Sequence, residues 1–148
     1  DFPVIYHSLL ESEKFYRCVF DFIVLLRPTS PLRPDKLIEK GLNLMIRNND
    51  ASSLRSVTLT SEHPYRQWLH FDDKFIVGYE SKISESYNLP RQKLPKVFFQ
   101  TGDIEIIRRE TLLNGSISGN NVLPLIIKHN EMNDIDTIDD WKKAIKDV

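Results

Sequence analysis

The stretch Asp21–Arg33, DFIVLLRPTSPLR, decides the fold. Phe22-Ile23-Val24-Leu25-Leu26 is a short continuous apolar run, the pattern of a strand buried on both faces of a parallel sheet. It stops at Arg27-Pro28-Thr29-Ser30-Pro31-Leu32-Arg33-Pro34, where three prolines in seven residues argue against helix and central sheet. A loop that follows such a strand lies at the carboxyl end of the sheet, where open α/β sheets bind ligands. Arg27 and Arg33 flank the stiffened turn and offer planar paired donors for carboxylate or phosphate. A solvated loop whose arginines pair with nearby acids has the same pattern.

Outward from this stretch, helices and strands alternate. Upstream, Val4, Ile5, Leu9 and Leu10 fall at helical spacing. Downstream, Asp35 is the expected cap of a helix over about 36–47, and a strand is expected over 53–59. That alternation is an α/β signature. Residues 66–79 break it, and read as a β-hairpin turning at Asp72-Asp73. A polar stretch containing Pro90 and Pro95 follows. Strand character returns at Val97-Phe98-Phe99, around Ile104–Ile107, and at 122–127, where Pro124 predicts an edge or irregular position. A short helix is expected over 108–113, closed by Asn114-Gly115. The last helix opens at Thr137, with Asp140 three residues on as the reciprocal capping partner.

Composition narrows the partners. The chain has 148 residues, enough for one core, and 20 Lys+Arg against 21 Asp+Glu. A balance this even gives no bulk attraction to nucleic acid or membrane, so any anion site must rest on local arginines. No apolar run approaches the length of a membrane span. Cys18 is the one cysteine, read as a small buried or half-buried side chain in a reducing compartment. The lack of an export signal and of a disulfide gives a cytoplasmic expectation.

Three segments carry candidate chemistry besides the proline turn. In Asp134-Ile135-Asp136, an extended backbone points both carboxylates to one side, where they can share a divalent ion. Hard oxygen ligands favour Mg²⁺ or Mn²⁺, commonly held by one or two carboxylates plus substrate phosphates. A solvated acidic pair before a helix looks the same. His63-Pro64-Tyr65-Arg66 and Pro90-Arg91-Gln92 each set an arginine beside a proline-stiffened turn, suited to an anion or to a surface ion pair. His63 reads as a hydrogen-bonded structural histidine before an acid–base group. The aromatics Trp68, Phe71, Phe75, Tyr79, Phe98 and Phe99 suit core or a dimer contact, or the lining of a sugar pocket. Five scattered glycines leave no glycine-rich phosphate loop.

Together these landmarks resemble the acylneuraminate cytidylyltransferases, the CMP-N-acetylneuraminate synthetase family. DFIVLLRPTSPLR is similar to the family's strand-and-turn signature, with Arg27 where many members have glutamine. Ser61–Arg66 resembles the His-Pro segment. Pro90–Pro95 followed by Gln100-Thr101-Gly102 resembles the Arg-Gln-x-Leu-Pro…Gly stretch. Asp134–Asp136 with Asp139-Asp140-Trp141 resembles the metal motif and closing helix. The set occurs in family order along nearly the whole chain. Two places depart from it: Thr101-Gly102-Asp103-Ile104-Glu105 replaces Asn-Gly-Ala-Ile-Tyr, and Ile117 and Ser118 replace paired aromatics.

The resemblance implies a mainly parallel sheet flanked by helices, of the Rossmann-like nucleotide-diphospho-sugar transferase type. It implies a dimerisation insert at about 66–96 and a homodimer. The implied reaction transfers CMP from CTP to an acidic nine-carbon sugar, N-acetylneuraminate or a relative such as legionaminate, with Mg²⁺ and release of pyrophosphate. Asp134 and Asp136 are then the catalytic metal holders, and Arg27, Arg33, Arg66 and Arg91 the substrate-binding residues. The family's N-terminal triphosphate-binding β-α unit has no counterpart here. At about 30 residues per unit, roughly 60–90 residues are expected to be missing, and the isolated chain to lack turnover. Two other readings stay open: another sugar nucleotidyltransferase, and a non-catalytic remnant or dimerisation partner.

Overall fold

The computed structural model describes residues 1–79, 82–131 and 134–146. A four-stranded sheet organises one compact unit, made of residues 1–57 and 100–148; residues 58–99 form a second. Helix α1 (Phe2–Tyr16) precedes strand β1 (Phe22–Leu25), helix α2 (Leu37–Arg47) and strand β2 (Ser53–Leu59). Strands β3 (Trp68–His70) and β4 (Ile76–Gly78) follow, then β5 (Phe98–Arg108), α3 (Arg109–Leu113), β6 (Val122–Ile126) and α4 (Ile138–Lys146).

The sheet order is β1-β5-β2-β6. β1 pairs antiparallel with β5, Phe22 opposite Arg108 and Leu25 opposite Glu105. β2 pairs parallel with β6, Ser53 opposite Val122 and Val57 opposite Ile126. Arg108 N–H donates to Ser52 O (3.0 Å) where β5 ends and β2 begins, so that pair is antiparallel too. Three strands therefore share one direction, and β5 runs against them between β1 and β2. The ends of β1, β2 and β6 that carry the following loops gather on one side, as in any α/β sheet with a ligand edge. β6 is an edge strand, which accommodates Pro124.

Alternation along β5 sends its side chains to two different places. Ile104 and Ile106, both fully buried, join Leu37, Met45, Leu54 and Leu125 in the core beneath α2. Ile107 turns the other way, onto Ile5 and Leu9 of α1 and Leu112 of α3. Gly41 lets α2 come close to β5: a Cβ there would lie 2.7 Å from Ile106 Cδ1, so that side chain would have to shift. The second core is fastened by Arg109, whose Nε and Nη2 reach the Glu13 carboxylate at 2.7 and 3.0 Å.

Local chemistry ends the elements. α1 stops where Arg17 turns left-handed, at φ 53°. Cys18 falls in the connector after it and is exposed, correcting the expectation of a buried thiol. Asp35 does not cap α2: Leu37 N–H closes a turn onto Pro34 O, Lys36 sits at φ 58°, and the helix begins one residue later than expected. β1 is half-buried at all four residues, not buried on both faces, because it is an edge of the sheet described. Phe98-Phe99 and Ile104–Ile107 belong to a single long β5 instead of two strands, and Val97 lies just before it. At the start of α4, Asp140 N–H donates to Thr137 Oγ1 (3.2 Å), while the Asp140 carboxylate accepts the Thr137 N–H (2.9 Å) and O–H (2.6 Å). Those bonds, from the Thr137 side chain first, hold the Asp140 carboxyl below its usual range.

In the unit 58–99, β3 and β4 form the expected hairpin, Trp68 opposite Gly78. Its turn is tied by Asp72 Oδ1, which accepts the N–H groups of Lys74 (2.8 Å) and Phe75 (2.9 Å). Trp68 packs on Tyr87 at 4.2 Å between ring centroids. Phe71, Phe75 and Tyr79 are exposed.

Candidate active site

The proline turn and the Asp-Ile-Asp segment meet. Ile135 N–H donates to Thr29 O at 2.8 Å, which lays residues 134–136 against the turn that leaves β1. Ile135 is half-buried, and Asp134 and Asp136 on either side of it are exposed. The turn itself is closed by Ser30 N–H to Arg27 O (3.2 Å) and braced by Arg33, whose Nη2 donates to the same carbonyl. Arg33 Nε donates to Asp103 O at 2.7 Å, tying the turn to β5. Two of the three Arg33 nitrogens are thus committed to main chain.

Beside the turn, the face of β5 that carries Ile107 becomes polar. Glu105 is buried, and its Oε1 takes Nε (3.1 Å) and Nη2 (2.8 Å) of Arg27. Its Oε2 lies 2.8 Å from Nη1 of Arg55. Arg55 is itself buried, and its Nη2 donates to Ile117 O (2.6 Å) and Ser118 Oγ (3.0 Å). Burial pulls the Arg55 guanidinium below its ordinary range and Arg27 adds to that, while the Glu105 carboxylate opposes it. An arginine stays charged through such a shift. Arg27 is half-exposed, and its Nη2 also meets the Asp1 carboxylate at 2.9 Å.

Asp103 has no accessible surface, and neither carboxylate oxygen has a hydrogen-bond partner among the described residues. Ser30 Oγ and Thr101 Oγ1 are buried and unpartnered in the same sense. Burial raises the Asp103 carboxyl above the usual carboxylate range. The Thr101 hydroxyl and Arg33 oppose that, and the negative charge of Asp134 adds to it. Uncompensated buried polar atoms are rare in native proteins and mark places where a ligand, water or proton completes the structure. Sequence reading missed Glu105 and Asp103 as site residues. The signal was the charged alternation Asp103-Ile104-Glu105 in a stretch that also carries strand periodicity.

Arg66 and Arg91 belong to the unit 58–99 and are exposed. Arg91 Nη2 donates to Thr60 O at 2.6 Å, at the rim of a cavity of about 220 Å³ lined also by His63, Leu94 and Pro95. His63 is buried with both ring nitrogens engaged: Nδ1 accepts Tyr65 N–H (3.2 Å), leaving Nε2–H to donate to Pro95 O (2.8 Å). It is structural, as expected. Another, polar cavity of about 420 Å³ lies where β2 begins and β5 ends, around Ser52, Arg108 and Gly119. There, Arg108 spends its Nη2 on the carbonyls of Met45 and Asn48, at the end of α2, and its Nε on that of Ala51 just before β2.

The donor set suits a divalent cation of the substrate-bound kind. Asp134 and Asp136 are two exposed carboxylates on one docked segment, and among the described residues no group of three or more His, Cys, Asp or Glu gathers to cage a metal. Mg²⁺ completed by phosphates and water needs no more than that.

Comparison with known proteins agrees with this architecture. No family model matches the chain. It is 30% identical over 142 residues to the post-translational flagellin modification protein B of Campylobacter coli, covering 95% of this chain and 58% of that protein. The chain therefore spans rather more than half the length of that relative. Among solved structures it superposes on a CMP:2-keto-3-deoxy-manno-octonic acid synthetase complexed with CTP, at a TM-score of 0.59 and 12% identity, over 97% of this chain and 68% of that one. The chain has the fold of that synthetase. It is a mixed α/β sheet with helices on its faces. No helix among the described residues is long and apolar enough to cross a membrane.

Proposed function

We propose that the protein carrying this chain is a cytidylyltransferase that transfers CMP from CTP to an acidic nine-carbon sugar. The observation that carries the reading is the Ile135–Thr29 hydrogen bond, which joins the paired carboxylates to the arginine-bearing proline turn at the ligand edge of the sheet. The shared fold with a CTP-bound synthetase supports it. The named role of the flagellin-modification relative supports a product that supplies protein modification.

In this reading Asp134 and Asp136 hold Mg²⁺, which supplies charge neutralisation at the triphosphate. Arg27 faces the sugar from the turn. Nη1 of Arg33, the nitrogen not committed to main chain, is left for an anionic group of the substrate. Arg66 and Arg91 keep the substrate-binding role that the family resemblance gives them. The sugar's anomeric hydroxyl oxygen bonds to the α-phosphorus as the bond to the bridging oxygen breaks. Pyrophosphate leaves with that electron pair, and the hydroxyl proton passes to solvent. Positioning does most of this work, since phosphoryl-type transfer asks mainly for alignment and charge stabilisation. The charged Asp103, Glu105 and Arg55 differ from the aromatic lining of the N-acetylneuraminate enzymes, and favour a related nonulosonic acid such as legionaminate. The unit 58–99, with its exposed aromatic hairpin, serves as the contact of a homodimer.

The test is pyrophosphate release by the complete protein with each of the four NTPs and a panel of acidic sugars. CTP-dependent release with a nonulosonic acid is expected; equal activity with a neutral sugar phosphate overturns the reading.

A further inference from the structure

We infer that Glu105 is a positioning residue of the sugar subsite, acting through Arg27, and that it sets which face of the Arg27 guanidinium is offered to substrate. The inference rests on the proposed role of Arg27. Glu105 is buried within β5, yet it is no ordinary ion-pair partner, because it serves two arginines from different segments, Arg27 of the turn after β1 and Arg55 within β2. Its Oε1 holds both Nε and Nη2 of Arg27, a fork that fixes the guanidinium plane. Its Oε2 is held by Arg55, which is anchored in turn on Ile117 O and Ser118 Oγ. Both Glu105 oxygens are thus engaged, and two Arg27 nitrogens are held by one of them.

What remains of Arg27 is directed outward. Nη1 has no partner among the described residues, and the outer side of Nη2 already takes a carboxylate, from half-exposed Asp1. The guanidinium is therefore built to receive a second acidic or acceptor-rich group beside the one that holds it. A carboxylate or an acyl carbonyl on the sugar meets that requirement, and a neutral hydroxyl face does not. Ile117 and Ser118 enter the same chain of bonds, so the two departures from the aromatic lining of the resembling family form one device: a charged floor that orients an arginine.

The experiment is a double-mutant cycle in the complete protein, using Glu105→Gln and Arg27→Ala, with the Michaelis constants for sugar and CTP read separately. E105Q is expected to raise the sugar KM about ten-fold or more and the CTP KM by less than about two-fold. In the R27A background, E105Q is expected to add nothing. An equal effect of E105Q with and without Arg27, or parallel losses for sugar and CTP, overturns the inference. Because E105Q leaves Arg55 buried without its counter-charge, the pair Arg55→Met with Glu105→Gln serves as a second variant, expected to show the same sugar-selective loss in a folded protein. A spectroscopic reading is independent of turnover: the Arg27 Nε–H resonance is expected to be slow to exchange in the wild type and fast in either variant. Slow exchange in both variants overturns the positioning role even where the cytidylyltransferase reading stands. An absent activity with a protected Arg27 overturns that reading alone.

Discussion

Ile107 and Glu105 stand two residues apart on one face of one strand, both buried, and they are buried for opposite reasons. Ile107 meets Ile5, Leu9 and Leu112, and its burial is stabilising in itself. Glu105 meets two guanidinium groups, and its burial roughly breaks even at best, since the desolvation of the charges offsets their attraction. Asp103, one step further along, is buried with no hydrogen-bond partner for either carboxylate oxygen among the described residues, while the nearby Thr101 hydroxyl and Arg33 charge lighten that burial. The sheet thus changes purpose within a few residues, from core to site, with no change in exposure. Burial alone does not mark a core; the partners do.

Substitutions at the two ends should therefore separate stability from function. The largest effect is expected at the ligand edge. Replacing both Asp134 and Asp136 with alanine should lower kcat/KM of the complete protein about 10³-fold. Both groups are exposed, so the melting temperature should stay nearly unchanged. A fall in melting temperature that matches the loss of rate would erase the contrast. At the apolar end the signs reverse: Ile107→Ala should cost about 2–5 kcal/mol in denaturant unfolding, while activity per folded molecule is kept.

Asp103→Asn sharpens the comparison further, because it should stabilise. The folded-state pKa of Asp103 lies above its unfolded value, so the native state binds the extra proton. Stability is then lost as pH rises from the ordinary carboxylate range through the raised value, and is unaffected below that range. The asparagine variant should gain about 1 kcal/mol at neutral pH and nothing in acid, measured by urea melts across pH. A pH-independent gain would mean that the carboxylate is satisfied in the native protein. The smallest effect is expected at the cap of α4, where Thr137→Ala should cost about 1 kcal/mol of thermal stability. The depressed Asp140 carboxyl has the opposite linkage to Asp103: its contribution is present above its unfolded pKa and lost as pH falls.

The same contrast explains what could be read from the sequence. Phe22–Leu26 announces a strand because all of it is apolar, and Arg27–Pro34 announces a loop because proline lacks the donor that helix and sheet need. The reciprocal Thr137–Asp140 cap and the hairpin over residues 66–79 are local devices, fixed by neighbours in the chain, and both are present. Glu105 was not legible as a site residue because its partners, Arg27 and Arg55, are distant in sequence and reach it only through the strand order β1-β5-β2. Cys18 and Asp35 failed for the converse reason. A left-handed residue beside each, Arg17 and Lys36, shifts the element boundary, and neither is a residue type that advertises such a turn.

The meeting of the two candidate segments is most directly tested at a single amide, that of Ile135. Its N–H is bonded to Thr29 O, between two exposed aspartates that would otherwise leave it open to water. Hydrogen exchange followed by NMR should show that amide slowed about ten-fold or more relative to an unstructured chain, out of line with its surface position. Exchange at the unstructured rate would mean that residues 134–136 do not dock on the proline turn, and the carboxylates and arginines would no longer define one site.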